Sequence, residues 1–223
     1  MLASIYVVGI NSTVNGKYTN ITFISPNAKM LVCGDNLTIK SFNFINGTNV
    51  INFAYSINGN NGWDNTPISQ YTGDIYVNNA VCDVQFINSN RAIHTSNHVN
   101  LLVNNSTFIN CSSSSDGGAI LLAANATVFN CTFVNCSSFG NGGAIYTSYN
   151  SNNPCYVSVL NSTFNNVSSK LNGGAIYFAT INPTVINCTF CNCSSSESNG
   201  GAIYEDLIFT NVTIMRSVFD GGS

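Results

Sequence analysis

Charge is what this sequence has least of: only 7% of its 223 residues are Asp, Glu, Lys or Arg, against about a quarter in an ordinary soluble domain. Six Lys plus Arg face nine Asp plus Glu, so no basic patch exists to hold a phosphate backbone and nucleic acid is not an expected partner. The strong helix formers Ala, Leu, Glu, Lys and Arg are scarce, which argues against long helices. No apolar run reaches the roughly 18 to 20 residues needed to cross a bilayer as a helix, so membrane insertion of this segment is not expected. Residues Met1–Ile10 are apolar but lack a basic start and a credible leader-cleavage site. That beginning and the abrupt end at Phe219–Ser223 are what a segment of a longer chain would show, and the rest of that chain would then be a partner.

Uncharged polarity takes the place of charge, with 38 Asn, 27 Ser and 18 Thr. Hydrophobic residues make up 44%, including 14 Phe and 10 Tyr, enough to build a core and to exclude disorder. Abundant β-branched and aromatic residues point to an all-β chain.

Repeats set the architecture. Gly-Gly-Ala-Ile recurs at Gly117, Gly142, Gly173 and Gly200, with a Thr-Phe pair upstream of each, at Phe108, Phe133, Phe164 and Phe190. Weaker frames at Phe23, Phe44, Phe86 and Phe219 bring the total to eight. Five residues before Phe stands an apolar column (Tyr18, Ile39, Val81, Val103, Val128, Val159, Val185, Ile214), and two before it a small or apolar one (Ile21, Phe42, Val84, Ser106, Cys131, Ser162, Cys188, Ser217). Between them polar residues alternate, the period of strands with one buried face. Strands repeating every 21 to 31 residues with no helical segment between them predict a parallel β-helix, a solenoid of about eight coils forming one domain over residues 1–223. The wide gap between Phe44 and Phe86 is read as one coil carrying a turn-rich insertion, residues 56–74. Two residues after Phe comes Asn in six of the first seven frames (Asn46, Asn88, Asn110, Asn135, Asn166, Asn192). Stacked amides one rung apart predict an internal Asn ladder, and the Gly-Gly pair predicts a second corner. Ser112–Asp116 and Ser194–Asn199 read as loops.

These motifs resemble the adhesin-like proteins of methanogenic archaea, whose β-helices repeat Asn-(Cys/Ser)-Thr-Phe-x-Asn followed by Gly-Gly-Ala-Ile-Tyr. Here the phrase is Asn130-Cys131-Thr132-Phe133-Val134-Asn135 with Gly142 to Tyr146, and equivalents run to Tyr204. The wider relation is to the GGAI and FxxN repeats of chlamydial polymorphic outer-membrane proteins. This chain has one residue rather than two between Phe and Asn, so the archaeal phrase is the closer. The similarity covers about residues 103 to 204. It implies a secreted, extracellular passenger region at the cell surface that binds other cells or glycans. It transfers no catalytic or ligand residue, because the shared motifs are scaffold.

Chemistry is weighed against scaffold at each conspicuous group. Cys111, Cys136 and Cys193 share one column, and Cys131 and Cys188 share another with Ser and Val, so the first reading is a small core residue. A disulfide is the alternative, and a zinc half-site at Cys188, Cys191 and Cys193 comes after it. Cys191 should face away from Cys188, and no metal or cofactor is expected. Acidic residues are scattered, Glu205 and Asp206 should point to opposite faces, and Arg91, His94 and His98 near Asp83 read as a polar surface. No catalytic residue is therefore assigned. N-x-S/T sequons are frequent, Asn125 among them.

Two groups are candidates for binding. Tyr146, Tyr177 and Tyr204 follow the inward Ile of each repeat and should form an outward strip on consecutive rungs. That strip is either cross-strand stacking or a platform for sugar rings. In the insertion, Trp63 and Tyr71 with Asp64 and Asp74 have the composition of a glycan contact. Alternatively Trp63 packs on an outward Ala column (Ala92, Ala119, Ala144, Ala175, Ala202). The expected function is a surface adhesin segment contacting a glycan or a cell-surface protein along a rigid rod. A polysaccharide-active enzyme and a pure stalk or spacer are the alternatives.

Overall fold

The computed structural model describes residues 5–22, 30–47, 50–53, 77–149, 151, 154–207 and 210–222, with side chains at all of these except 5–11, 18, 31, 33–35 and 77. Two long strands come first, β1 (Ile5–Thr22) and β2 (Met30–Ile45). Six coils of shorter strands follow. The first holds β3 (Ile51–Phe53), β4 (Val77–Cys82) and β5 (Gln85–Ile87), and the second β6 (Ile93–Thr95), β7 (Val99–Asn104), β8 (Thr107–Ile109) and β9 (Ser112–Ser113). Next are β10 (Ile120–Leu122), β11 (Asn125–Phe129), β12 (Thr132–Val134) and β13 (Ser137–Ser138), then β14 (Ile145–Thr147), β15 (Val157–Leu160), β16 (Thr163–Asn165) and β17 (Ser168–Ser169). The last two coils are β18 (Ile176–Phe178), β19 (Thr184–Ile186) and β20 (Thr189–Ser195), then β21 (Ile203–Glu205), β22 (Thr213–Met215) and β23 (Val218–Gly222).

Every described strand pairs in parallel with its counterpart one coil away, so the chain is a stack of rungs rather than a set of hairpins. One face stacks Met30, Ile51, Ile93, Ile120, Ile145, Ile176 and Ile203. A second stacks Val14, Ile39, Val81, Val103, Val128, Val159, Val185 and Ile214. The third stacks Ile21, Phe44, Phe86, Phe108, Phe133, Phe164, Phe190 and Phe219. From Phe44 to Phe190 the phenyl column is at most 1% exposed. Its rings lie nearly parallel, with centroids 4.7 Å apart on both sides of Phe133. That spacing is the strand separation itself, so a flat ring on each rung meets the next at van der Waals contact.

The first frame sits differently from the sequence alignment. Ile21, not Phe23, pairs with Phe44, and Val14, not Tyr18, pairs with Ile39. The register shifts between Asn15 and Thr19. Phe42 is the one large ring in an otherwise small column, and it lies against Gly16, where a Cβ would come within 2.3 Å of the ring. Phe23 and residues 56–74 lie outside the described residues, so the insertion and its Trp63, Asp64, Tyr71 and Asp74 do too.

The corners explain the Asn-Cys and Asn-Ser motifs. Asn88, Asn110, Asn135 and Asn166 follow the phenyl strand with φ between 52° and 55°, a left-handed conformation that Asn tolerates better than most residues. Asp83, Asn105, Asn130, Asn161 and Asn187 precede it with φ of 50° to 55°, a second Asn corner. A residue in that conformation turns its side chain out, and the next residue points in at a tight bend that mostly holds Cys, Ser or Val. Cys111, Ser106, Cys131, Cys136, Ser162, Cys188 and Cys193 occupy those places, each at most 1% exposed. Ser hydroxyls there also stitch rungs together: Ser162 Oγ accepts from Cys131 N at 3.1 Å and donates to the Leu160 carbonyl at 2.8 Å.

The Asn ladder forms, but on the outside. Asn110 Nδ2 donates to Asn88 Oδ1 at 3.1 Å, Asn135 to Asn110 at 3.3 Å and Asn166 to Asn135 at 2.8 Å, and all four side chains are exposed. The expected internal placement fails because a left-handed corner directs its side chain to the convex side. Asn135→Ala should destabilise by about 1 to 3 kcal/mol, combining lost amide bonds and backbone strain. Asn135→Gly, which accepts the same φ freely, should cost less in the same urea titration. Equal losses would show that the conformation contributes nothing.

Two further expectations are corrected. The Ala column is not an outward trough: Ala92, Ala119, Ala144 and Ala175 are fully buried. These residues precede the strand, at a bend made by Gly-Gly before Ala119, Ala144 and Ala175 and by Arg91 with φ of 51° before Ala92, where strict alternation does not apply, so both Ala and Ile turn inward. The Ser-rich stretches are not plain loops either. Ser112–Ser113, Ser137–Ser138, Ser168–Ser169 and Ser194–Ser195 form a short parallel sheet of their own, a fourth face that runs from the second to the fifth of the six coils.

Candidate binding surface

Tyr146, Tyr177 and Tyr204 stack as one column. Their ring centroids are 5.1 and 5.5 Å apart and their planes within 16°. Tyr177 is buried and the two flanking rings are half-buried, so the ring faces are largely taken by one another. Burial, with help from Asp116 and Asp206, pushes the Tyr146 phenol above its ordinary range. The Tyr177 phenol is raised further, first by burial and then by its hydrogen bond to Asp206.

The acidic and basic residues do not converge. Arg91 Nη2 donates to Ser113 Oγ at 3.0 Å, Ser115 Oγ at 2.7 Å and the Asp116 carbonyl at 2.8 Å. Asp83 instead faces Lys40 at 3.7 Å and accepts from Asn105. His94 lies between Asn52 and Leu121 in the strand ladder. Glu205 and Asp206 do diverge, for Glu205 continues the inward column beneath Phe178 while Asp206 is exposed. Burial raises the Glu205 carboxyl to about 7 despite a hydrogen bond from Leu207 N. The folded state therefore holds this proton more tightly than the unfolded chain, whose Glu titrates near 4.3. Stability from this group is full below about pH 4.3 and is lost as pH rises through about 7. Melting temperatures measured across that window should fall less in Glu205→Gln than in wild type.

Among the described residues no three His, Cys, Asp or Glu side chains come close enough to hold a metal. The eight cysteines whose side chains are described are free thiols. Cys191 is half-buried whereas Cys188 and Cys193 are buried, so the C-x-x-C-x-C run splits between two faces. Buried thiols point at backbone carbonyls, as Cys131 Sγ does toward Phe129 O at 3.3 Å. Burial pushes Cys131 up to about 12 and Cys193 to about 11. Since the thiolate is the nucleophile, iodoacetamide at pH 8 should label the half-buried Cys191 in the folded protein and reach Cys131 and Cys193 only after unfolding. Peptide mapping that finds Cys131 modified in folded protein would contradict the corner packing.

Among the described residues, open grooves cross successive rungs, and two of them are of similar size. The larger, about 470 Å³, lies on the face of β4, β7, β11 and β15. Along it Asn100 Nδ2 donates to Asn78 Oδ1 and Asn125 Nδ2 to Asn100 Oδ1, both at 2.9 Å, while Asn125 Oδ1 accepts from Tyr156 N at 2.9 Å. Leu102 (38% exposed) and Thr127 form the floor, and Tyr156 (54% exposed) stands at one end. The second groove, about 450 Å³, follows the Ser sheet beside Phe139 and the Lys170–Glu197 pair at 3.5 Å. Tyr156 and Phe139 were not singled out by the repeat frame. A signal for Tyr156 does exist: eight residues before each Phe stand Asn36, Asn78, Asn100, Asn125, Asn182 and Asn211, and only the Phe164 frame has Tyr. Compared with models of protein families, with curated proteins and with solved structures, the chain matches none.

Proposed function

We propose that this solenoid is an adhesin-like attachment segment of an extracellular, cell-surface protein, contacting a glycan or a surface protein through its lateral faces. The observation that carries this reading is the pair of larger open grooves running across several rungs of a stiff rod, one lined by uncharged amides and hydroxyls beside Tyr156, the other by serine hydroxyls and the Lys170–Glu197 pair beside Phe139. Solenoids bind along such extended faces, and many weak contacts along a rod suit attachment better than turnover. The resemblance of the Asn-Cys-Thr-Phe-x-Asn and Gly-Gly-Ala-Ile-Tyr phrases to archaeal adhesin-like proteins points the same way.

A spacer is the second reading, favoured on one face by the tyrosine column, whose middle ring is covered. A polysaccharide-active enzyme has less support, because no pair of carboxylates flanks either groove. Beads coated with the intact chain, incubated with cells and with an immobilised glycan panel, test the proposal. Retention on a subset of cells or glycans supports attachment, and retention on none leaves the spacer reading in its place.

A further inference from the structure

We infer that the groove across β4, β7, β11 and β15 takes an uncharged glycan in extended form, lying along the solenoid axis with one sugar ring against Tyr156. The inference rests on the attachment reading and names its site and ligand class. The groove has side chains from four successive rungs but no charged one: Asn78, Asn100, Asn125, Thr127 and Ser158 supply the polar groups, and Leu102 and Tyr156 the apolar surface. An anionic polysaccharide would find no cation there.

The amides are suited to hydroxyls. A carboxamide has two donor hydrogens and two acceptor lone pairs, and the rung-to-rung bonds of Asn100 and Asn125 use one of each. What remains is one N–H and one lone pair on each of Asn100 and Asn125, one strand spacing of about 4.8 Å apart. The sugar repeat of an extended glycan is of similar length, so successive rings can meet successive amides in one register. A peptide strand is disfavoured as the occupant. β7 and β11 are paired on both sides, leaving no backbone row for strand addition.

Tyr156 is the second, independent observation. In its register Asn125 lies on one side, and every other frame from Phe44 onward has Asn at this place. Tyr156 breaks that series with a ring that is 54% exposed and has no aromatic partner among the described ring contacts. Burial of a ring that size normally stabilises a fold, so an exposed one beside an uncharged polar groove fits a stacking contact.

The test uses the intact chain titrated with cellohexaose, xylohexaose, mannohexaose and hexagalacturonate, read by isothermal titration calorimetry. At least one neutral hexasaccharide should bind. Tyr156→Ala and Thr127→Glu should each weaken that binding by about tenfold or more while the melting curve stays in place, and Tyr156→Phe should retain it. Neutral binding unchanged in both variants, or binding of hexagalacturonate alone, overturns the groove assignment. If no neutral hexasaccharide binds while coated beads still hold cells, this site is wrong and attachment stands. If the beads hold neither cells nor glycans, the attachment reading falls as well.

Discussion

Replacing Phe133 with Ala should lower the unfolding free energy by about 3 to 5 kcal/mol, the range for deleting a large ring from a packed core. Phe133 is fully buried and stacks on Phe108 and Phe164 at 4.7 Å, with planes 5° and 2° apart. A rung cannot collapse into the void, because its backbone is pinned to both neighbours by ladder hydrogen bonds. The missing ring therefore leaves two unpartnered ring faces and a cavity. Phe219 is the control in the same column. It is 50% exposed and stacks on one neighbour only, Phe190, so Phe219→Ala should cost far less. Urea titration by circular dichroism reads both. A loss under about 1 kcal/mol for Phe133→Ala would show that the column is not the core.

Gly143→Ala should be comparably damaging for the opposite reason. A Cβ at this position would lie 2.2 Å from the Gly174 carbonyl oxygen and 2.4 Å from that of Ser168. Both obstacles are backbone of the next coil, so no side chain can swing aside and the rungs themselves must part. Overpacking costs about 1 to 3 kcal/mol and occasionally more, and the rigid obstacle places this substitution at the upper end. The pair works as a unit. Gly142 has φ of 62° and turns the chain, and Gly143 lets the next coil approach. Gly143 N still reaches Gly173 O at 3.3 Å, so a widened corner also weakens that bond. An unchanged urea midpoint in Gly143→Ala would mean that the coils do not meet there.

The sequence made the three apolar columns legible because stacked rungs force the same alternation at the same interval, and Phe, Val and Ile mark it in nearly every frame. The first frame slipped because Phe23 mimics the marker residue, whereas the register there is decided by the fit of Phe42 over Gly16, a contact between coils. The Ala column was misplaced by carrying strand alternation through a corner. The amide ladder was foreseen, but its exposure depends on the sign of φ at Asn135 and its equivalents, which residue type suggests without fixing which way the side chain leaves. Among the candidate site residues, the tyrosine column follows directly from the repeat. Tyr156 needed a further column, eight places before Phe, in which its departure from Asn is the signal. Trp63, Asp64, Tyr71 and Asp74 lie outside the described residues.

The central claim is that parallel coils stack in register, with each ring of the column from Phe86 to Phe190 stacking on the column rings directly above and below it. Ring-labelled phenylalanine in an otherwise deuterated chain tests it by nuclear Overhauser contacts. The expected pattern is linear: Phe44 to Phe86, Phe86 to Phe108, then Phe133, Phe164, Phe190 and Phe219 in turn. Contacts that skip a rung, such as Phe108 to Phe164, or the absence of any contact between Phe133 and Phe164, would contradict it.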